Sequence, residues 1–346
     1  MVWLVAGQAN DEDDMFRNAL AACAVLSALA VSGPAATGPA MAGPNGDAYP
    51  SRTITVVVPV PAGGSVDGVA RILAHKLQES LGVSVIVENR AGGAGGTVGA
   101  GSVAKSAADG YTLLLHASLH VGAPFLFKNV PYDVTKDFTP ITLVASGPLI
   151  VSTAPNVPAN TLKEFFDLVR KEPSKYTFAT SGFGAAGHLA VELLKHEANV
   201  DALVIAYRGA TPMLADLMSG QIQLVADPMV ASLPLVQAGK IKALAITSLE
   251  RSKAAPDIPT VAESGMNPLD FGSWYGLWAP KNLPPEITAK LQEVSAKVLA
   301  DEDTKRRFAV LGFEPIGSST EAFKTFIADE TARTEKIIKD AMIKSQ

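Results

Sequence analysis

The segment Pro59–Asp67, with the sequence PVPAGGSVD, has residue types that can bind an anion without a cationic side chain. Its prolines stop strand pairing, and Gly63 and Gly64 let the backbone come close to a ligand. Ser65 is a natural N-cap, which would leave the first N–H groups of a helix pointing outward at the positive end of its dipole. The segment therefore predicts an anion site at a helix start, with an ordinary strand-to-helix turn as the alternative.

A second segment, Thr180–His188 (TSGFGAAGH), repeats this pattern in the other half of the chain. It also follows a predicted strand and opens a predicted helix, and Ser181 could cap that helix or donate to an anion. Ligands of open α/β sheets bind outside the carboxyl ends of strands, which is where both segments are expected. The presence of two such segments, one in each half of the chain, favours a cleft that holds the two ends of a small carboxylate.

Two side chains that follow later strands are candidates for contacts to the rest of a ligand. Arg208 can bind a carboxylate with two hydrogen bonds, and its alternative is a solvated loop charge. Asp227 can accept a hydrogen bond from a ligand hydroxyl or amine, or it can order its own turn. Trp274 and Tyr275 could line the cleft, although such aromatic side chains are more often buried in a core.

The signals for catalysis and metal binding are weak. The sequence contains no G-x-S-x-G, Walker A or H-E-x-x-H motif, and a G-x-G-x-x-A pattern at Gly99–Ala104 lacks a directly preceding strand and an acidic partner. His116 and His120 are predicted on one extended segment, about 13 Å apart, which is too far to share a metal. We therefore expect no cofactor, no metal and no catalytic residue.

Short apolar runs alternate with helical patterns along the chain, and these elements must position the candidate residues. The predicted strands are 53–60, 83–87, 111–115, 149–153, 177–180, 202–206, 223–226, 243–247 and 274–279. The predicted helices are 66–81, 162–171, 187–197, 213–219 and three stretches after residue 285. Alternation of this kind predicts α/β architecture with parallel sheets covered by helices.

Length and composition indicate a two-domain protein and exclude some partners. The chain has 346 residues, 48% of them hydrophobic, and a net charge of −5, so we expect no nucleic acid partner. Composition shifts near 141–148 and 260–273 predict two crossings between lobes. Lobe 1 is then expected at 43–145 and 273–346, with lobe 2 at 146–272.

The first 42 residues have the features of an export signal. Ala19–Val31 is an uncharged apolar run that is too short to span a bilayer, and Ala40–Ala42 is an A-x-A cleavage site. Four acidic residues precede Met15, whereas Arg17 follows it, so Met15 is the better start for such a signal. We expect a cleaved signal peptide and a periplasmic location.

The single cysteine, Cys23, lies inside this leader. A mature chain without cysteine can form no disulfide and no thiol-based site. Leu20–Cys23 also reads as a lipoprotein cleavage box, which would anchor the chain to lipid. The apolar run continues beyond Cys23, and this continuation favours an ordinary signal peptide.

Ten short motifs follow one another in a fixed order along the chain. They are YPSR at 49–52, PAGGSVD at 61–67, VENR at 87–90, DGYTLL at 109–114, VPYD at 130–133, KDF at 136–138, SGFG at 181–184, HLA at 188–190, DIPTVAE at 257–263 and WYG at 274–276. Each motif is weak alone, but their order over some three hundred residues is specific. With them the chain resembles the solute-binding proteins of tripartite tricarboxylate transporters, the Bug family of periplasmic receptors.

The resemblance implies a two-lobed periplasmic-binding-protein fold of type II-like architecture, each lobe a mostly parallel sheet flanked by helices. It also implies that the loops at 62–67 and 181–185 hold one carboxylate, largely through backbone groups and ordered water, with variable contacts elsewhere. The expected ligand-binding residues are Ala62, Gly63, Gly64, Ser65, Asp67, Ser118, His120, Ser181, Gly182, Gly184, Ala185, His188, Arg208 and Asp227.

Three departures from the family pattern bear on the ligand. Ala185 stands where threonine is common, His116 stands where a small residue is usual, and Gly122 and Ala123 replace a bulkier pair. The hypothesis is a roomier pocket with an added imidazole, which would accept a larger carboxylate, including an aromatic one.

We therefore expect a monomeric, non-enzymatic receptor that captures a small organic mono- or dicarboxylate and delivers it to the membrane permease of a tripartite transporter. The alternatives among binding proteins are an amino-acid or other zwitterion receptor, with Asp227 pairing the ammonium, and a carboxylate receptor coupled to a sensor. The alternative from another class is an α/β hydrolase-type enzyme, which would turn over its bound ligand.

Overall fold

The structure is a computed structural model that describes residues 49–346. The predicted export signal, its start at Met15, its cleavage site and Cys23 lie outside the described residues. The strands are β1 Ile54–Val58, β2 Val85–Asn89, β3 Thr112–Ala117, β4 Phe138–Thr153, β5 Phe178–Thr180, β6 Val204–Ala206, β7 Leu224–Pro228, β8 Lys242–Ile246, β9 Gly272–Pro280 and β10 Glu314–Pro315.

Helices follow most of these strands, so the α/β class predicted from the sequence is confirmed. They are α1 Ser65–Leu81, α2 Thr97–Ala104, α3 Leu119–Leu126, α4 Leu162–Lys171, α5 Ala186–Glu197, α6 Ala210–Ser219, α7 Met229–Gln237, α8 Pro285–Ala300, α9 Glu302–Val310 and α10 Thr320–Asp340. Within residues 49–346, no helix combines the length and the apolar character that crossing a membrane requires.

The described strands form one continuous sheet in the order β2-β1-β3-β9-β4-β7-β5-β6, and β8 and β10 also pair with β4. Parallel pairing joins β1 to β2 and β3, and β5 to β6 and β7. The central pairings of β9 with β3 and β4, and of β4 with β7, are antiparallel. The sheet is therefore mixed rather than mostly parallel, because the chain passes along β4 and returns along β9.

Strand β4 belongs to both halves of the sheet. Its residues Phe138–Pro148 pair with β9, whereas Leu149–Thr153 pair with β7 and β8. We call the half that contains β1, β2, β3, β9 and the start of β4 the first lobe, and the half that contains β5 to β8 and the end of β4 the second lobe. Each lobe has its own apolar core beneath its helices.

The two predicted anion segments lie at corresponding places in the two lobes. Helix α1 begins at Ser65, soon after the carboxyl end of β1, and helix α5 begins at Ala186, soon after the carboxyl end of β5. Helix α1 buries a stripe of apolar side chains and ends at Gly82, whose φ of 71° closes the last turn as predicted.

Helix α3 was not predicted, and it overturns a predicted distance. Strand β3 ends at Ala117 and α3 begins at Leu119, so the chain turns between His116 and His120. Their ring centroids lie 5.6 Å apart, and the expected separation of about 13 Å for an extended segment is therefore wrong. Residues 49–346 nevertheless contain no group of three or more side chains that could hold a metal ion.

Candidate functional site

The first loop, Ala62–Ser65, presents its backbone on an open side of the first lobe. Ala62, Gly63 and Gly64 are exposed, and an added Cβ at either glycine would meet nothing within 4 Å. The N-cap of α1 is Gly64, without a side-chain cap, and Ser65 is the first helical residue. The predicted capping role of Ser65 is therefore wrong, but the first N–H groups of α1 still lack partners within the helix.

Asp67 fixes the shape of the first loop. Its Oδ2 accepts hydrogen bonds from the N–H of Gly63 at 3.0 Å and from Nε of Arg71 at 2.9 Å, and its Oδ1 accepts one from Asn89 at 3.0 Å. Burial raises the pKa of Asp67, but these hydrogen bonds outweigh burial and lower the pKa overall. The carboxylate is thus an ionised anchor for the loop, and its oxygens are engaged within the protein.

The second loop, Ser181–Ala185, is held by His188. The N–H of Gly184 donates to Nδ1 of His188 at 3.2 Å, and the His188 ring packs against Phe183 with centroids 4.5 Å apart. Burial, with a smaller contribution from the charge of Lys195, lowers the pKa of His188 to about 4. The imidazole is therefore neutral near pH 7, and its Nδ1 accepts from the loop.

The start of α5 resembles the start of α1. Its N-cap is Ala185, again without a side-chain cap, so Ser181 does not cap this helix. Ser181, Gly182 and Ala185 are half-buried, whereas Gly184 is buried. Both loops therefore end in a helix whose first N–H groups have no capping side chain, which is the arrangement that binds anions.

A row of neighbouring polar side chains lies between the two loops. The phenol of Tyr275 accepts a hydrogen bond from Ser273 at 3.0 Å and lies near Ser65 of the first loop, whose hydroxyl acts to lower the phenol's pKa against the larger effect of burial. Ser181 of the second loop lies near Asp227 and acts to lower the pKa of its carboxyl group, and the charge of Asp227 in turn acts to raise the pKa of Tyr275. The two loops thus face one polar centre although they are more than a hundred residues apart in sequence.

Asp227 is an unusual member of this row. It is 1% exposed, and among the described residues its Oδ1 has no hydrogen-bond partner. Burial raises the pKa of its carboxyl group to about 7, although the Ser181 hydroxyl acts in the opposite direction. This carboxyl group therefore changes charge near neutral pH.

Two more of the predicted residues flank the loops. Arg208 is exposed and lies between Tyr207, whose N–H donates to Thr180 at 2.9 Å, and Gly209, whose N–H donates to Ser181 at 2.9 Å. Ser118 is half-buried at the carboxyl end of β3, and its N–H donates to the carbonyl of Trp274 at 3.1 Å. Arg208 thus borders the second loop, and Ser118 borders the strand that carries Tyr275.

His120 is placed elsewhere. It is fully buried in the first lobe, where its ring lies 5.0, 4.7 and 4.8 Å from those of Tyr132, Phe138 and Trp278. Burial, with a smaller contribution from His116, lowers its pKa well below the usual value. The structure therefore brings His120 into an aromatic core rather than to the two loops.

The expected enlargement of the pocket is not found either. His116 is 1% exposed and bonds to the carbonyl of Gly95 at 3.1 Å. A Cβ at Gly122 would lie 3.3 Å from the Thr334 side chain of α10, and Ala123 is fully buried in an apolar core. Small residues here allow α10 to approach, so the expectation that they widen the ligand pocket is wrong.

Sequence reasoning missed several residues that build the site. Asn89 and Arg71 hold Asp67, and Ser273 holds Tyr275. Asn89 belongs to the VENR motif and Ser273 directly precedes the WYG motif. These motifs showed that the positions matter for the resemblance, but not which groups they contact.

A family model, TctC, described as the tripartite tricarboxylate transporter family receptor, matches residues 69–343. The chain belongs to the TctC family. As a TctC protein it is a solute-binding receptor and not an enzyme. It is 37% identical over 297 residues to the protein BugT of Bordetella pertussis, with 85% of this chain and 90% of BugT covered.

Two solved structures share its fold. The R. palustris protein Rpa4515 with adipate has a TM-score of 0.83 and 33% identity, over 86% of this chain and all of that chain. MatC of Rhodopseudomonas palustris with bound malate has a TM-score of 0.77 and 33% identity, over 84% of this chain and all of that chain. The implied two-lobed periplasmic-binding-protein fold is confirmed by these neighbours.

Proposed function

We propose that this TctC receptor captures a small organic mono- or dicarboxylate between its lobes in the periplasm and delivers it to a tripartite tricarboxylate-type transporter. The observation that carries the proposal is the convergence of two uncapped helix starts on one row of neighbouring polar side chains, from half-buried Ser65 through buried Tyr275 and Asp227 to half-buried Ser181. The adipate and malate of the two structural neighbours support the same chemical class.

The two loops provide the chemistry that a carboxylate requires. Backbone N–H groups at the starts of α1 and α5 supply hydrogen-bond donors and the positive ends of two helix dipoles. Asp67 and His188 hold these loops in place by accepting from Gly63 and Gly184. The ligand is therefore bound by preorganised dipoles, with Ser65, Ser181 and Arg208 as further donors.

Capture is coupled to a hinge motion in this proposal. We take lobe 1 as residues 43–145 and 273–346 and lobe 2 as residues 146–272, a division that lies within three residues of the point where β4 changes partners, after Pro148 and opposite Gly272 of β9. A ligand that touches one loop from each lobe stabilises the closed arrangement. The closed, monomeric receptor would then dock on the permease, or alternatively on a membrane-bound sensor.

A thermal-shift screen of the protein purified from the periplasmic fraction tests the proposal. The ligands are citrate, aliphatic dicarboxylates, benzoates, phthalates, nicotinate, aspartate and glutamate, each compared with its amide. A ligand at a hundred times its Kd adds about 2.7 kcal/mol, roughly 5–8 °C for a chain of this size. A shift with an acid but not with its amide supports a carboxylate receptor. If no acid shifts the melting point and the denatured protein releases no organic acid, the proposal is wrong.

A further inference from the structure

His116 ties the end of β3 to residues 91–96, which we call the glycine loop. Its Nε2 lies 3.1 Å from the carbonyl oxygen of Gly95 and donates to it, because a carbonyl can only accept. Its Nδ1 accepts from the N–H of Ala117 at 2.8 Å. Both ring nitrogens of this buried imidazole therefore have partners in the first lobe, and one of them fixes the backbone of Gly95.

The backbone of Gly95 lies directly against side chains of helix α3 and the residue after it. Its φ is 65°, a conformation that favours glycine. A Cβ built on Gly95 would lie 3.0 Å from Cδ2 of Leu119 and 2.9 Å from Cε2 of Phe127. Because nothing larger than a hydrogen fits in this space, the position of the Gly95 backbone limits where Leu119 and Phe127 can lie.

The same two side chains also contact the second loop. A Cβ built on Gly184, whose φ is 79°, would lie 2.8 Å from Cδ1 of Leu119. The Phe127 ring lies 5.8 Å from the ring of Phe183. One methyl group of Leu119 therefore packs toward Gly95 in the first lobe, and its other methyl group packs toward Gly184 in the second.

We propose that His116 is a positioning residue for the second loop, which acts through Gly95 and Leu119 to hold the backbone of Gly184 in place. This inference rests on the proposed function, in which the second loop binds the carboxylate. His188 holds the N–H of Gly184 from within α5, whereas His116 supports the same glycine from the first lobe. Chains of packed side chains can carry coupling of this kind between separate parts of a protein.

Amide hydrogen exchange tests this link without a known ligand. The protein is purified from the periplasmic fraction, and its exchange is measured by mass spectrometry. His116→Leu removes the donor but has a similar volume, and we expect peptides within residues 181–188 to exchange about three- to tenfold faster than in wild type. Peptides from α4, which lies in the same lobe, should exchange at an unchanged rate.

Two further variants separate the hydrogen bond to Gly95 from a general loss of stability. His116→Gln keeps an N–H donor near the position of Nε2 and should restore slow exchange in the second loop. Tyr132→Phe removes the hydroxyl that lies 3.3 Å from Nδ1 of His120, a buried contact of the first lobe that does not involve Gly95. It should leave exchange in the second loop unchanged.

Calorimetry with malate and adipate then relates loop order to binding. We expect His116→Leu to bind these acids about three- to tenfold more weakly than wild type does, and His116→Gln to recover most of the affinity. The double variant His116→Leu/Leu119→Ala should bind within about twofold of Leu119→Ala alone, since the effect of His116 passes through Leu119. Leu119→Val serves in the same cycle if Leu119→Ala does not fold.

The outcomes distinguish the two proposals. Unchanged exchange of residues 181–188 in His116→Leu, or the same acceleration in Tyr132→Phe, overturns the role of His116 and leaves the carboxylate receptor intact. Faster exchange with unchanged affinity for a bound acid overturns that role as well. If exchange responds as expected but no acid binds in the thermal screen, the link from His116 to the second loop stands and the proposed function is wrong.

Discussion

The N–H of Gly63 donates a 3.0 Å hydrogen bond to the carboxylate of Asp67, four residues ahead in the first turn of α1. The second loop repeats this spacing, since the N–H of Gly184 donates at 3.2 Å to His188, four residues ahead in α5. One acceptor is an anion and the other is a neutral imidazole. In both loops, a helix side chain fixes the glycine backbone and so orients the N–H groups beside it.

Replacing Asp67 tests whether carboxylate affinity depends more on the order of the first loop or on the negative charge of Asp67. Asp67→Ala leaves Gly63, Arg71 and Asn89 without their shared acceptor and is expected to lower the free energy of unfolding by about 1–3 kcal/mol. We also expect carboxylate affinity to fall about tenfold, because loss of loop order outweighs removal of a negative charge that Arg71 already compensates. Denaturant titration and calorimetry measure the two effects.

The control for this prediction is Glu79→Gln, which removes an acid from the same helix at a side chain that is 55% exposed. It should change neither stability nor binding appreciably. Tighter carboxylate binding by Asp67→Ala would mean that the charge matters more than loop order.

His188 is expected to support carboxylate binding indirectly, by holding the second loop in place. His188→Leu removes the acceptor for Gly184 and should weaken carboxylate binding about tenfold. His188→Asn keeps an acceptor near the position of Nδ1 and should restore most of the affinity. Calorimetry on the two variants decides the point, since equal losses in both would show that the imidazole contributes only packing against Phe183.

Asp227 makes stability depend on pH in a defined direction. Its folded pKa is about 7 against an ordinary value of 3.8, so the folded state holds a proton that the unfolded state has released. The resulting stabilisation is fully present below about pH 4 and is lost as the pH rises to 7, a change of up to about 4 kcal/mol. Asp227→Asn should abolish this change.

The measurement is the difference in free energy of unfolding between wild type and Asp227→Asn from pH 4 to pH 8. Burial lowers the pKa of His116 and of His188 to about 4, so these groups stabilise the fold with the opposite pH dependence. Their contribution is common to both proteins and cancels in the difference. A flat difference curve would contradict an unpaired, buried Asp227.

The crossing of β4 and β9 should not tolerate a side chain at Gly272. A Cβ there would lie 2.5 Å from the carbonyl oxygen of Gly147 on the facing strand, and a backbone atom cannot rotate away. Gly272→Ala is expected to cost about 1–3 kcal/mol in unfolding experiments. Gly64→Ala is the control, because its added methyl group meets nothing within 4 Å and the residue has an ordinary φ of −87°. If both variants lose a similar free energy of unfolding, the prediction of a tight crossing at Gly272 is wrong.

Local sequence patterns determined much of this protein. The apolar stripe of α1 and its stop at Gly82, the glycine-serine segments at two helix starts, and the order of ten motifs predicted the α/β class, the family and the two loops. These features depend on residues close in sequence, through helical periodicity, turn chemistry and helix-start N–H groups, so they can be read without a structure.

Tertiary structure decided which distant groups meet. Tyr275 comes near Ser65, and Asp227 comes near Ser181, because β9 returns antiparallel along β4 and β7 lies beside β5. Likewise, a turn after β3 brings the rings of His116 and His120 to 5.6 Å. Strand order and burial arise from packing across the whole chain, and they determine that Asp227 is desolvated beside the loops while His120 is enclosed in an aromatic core.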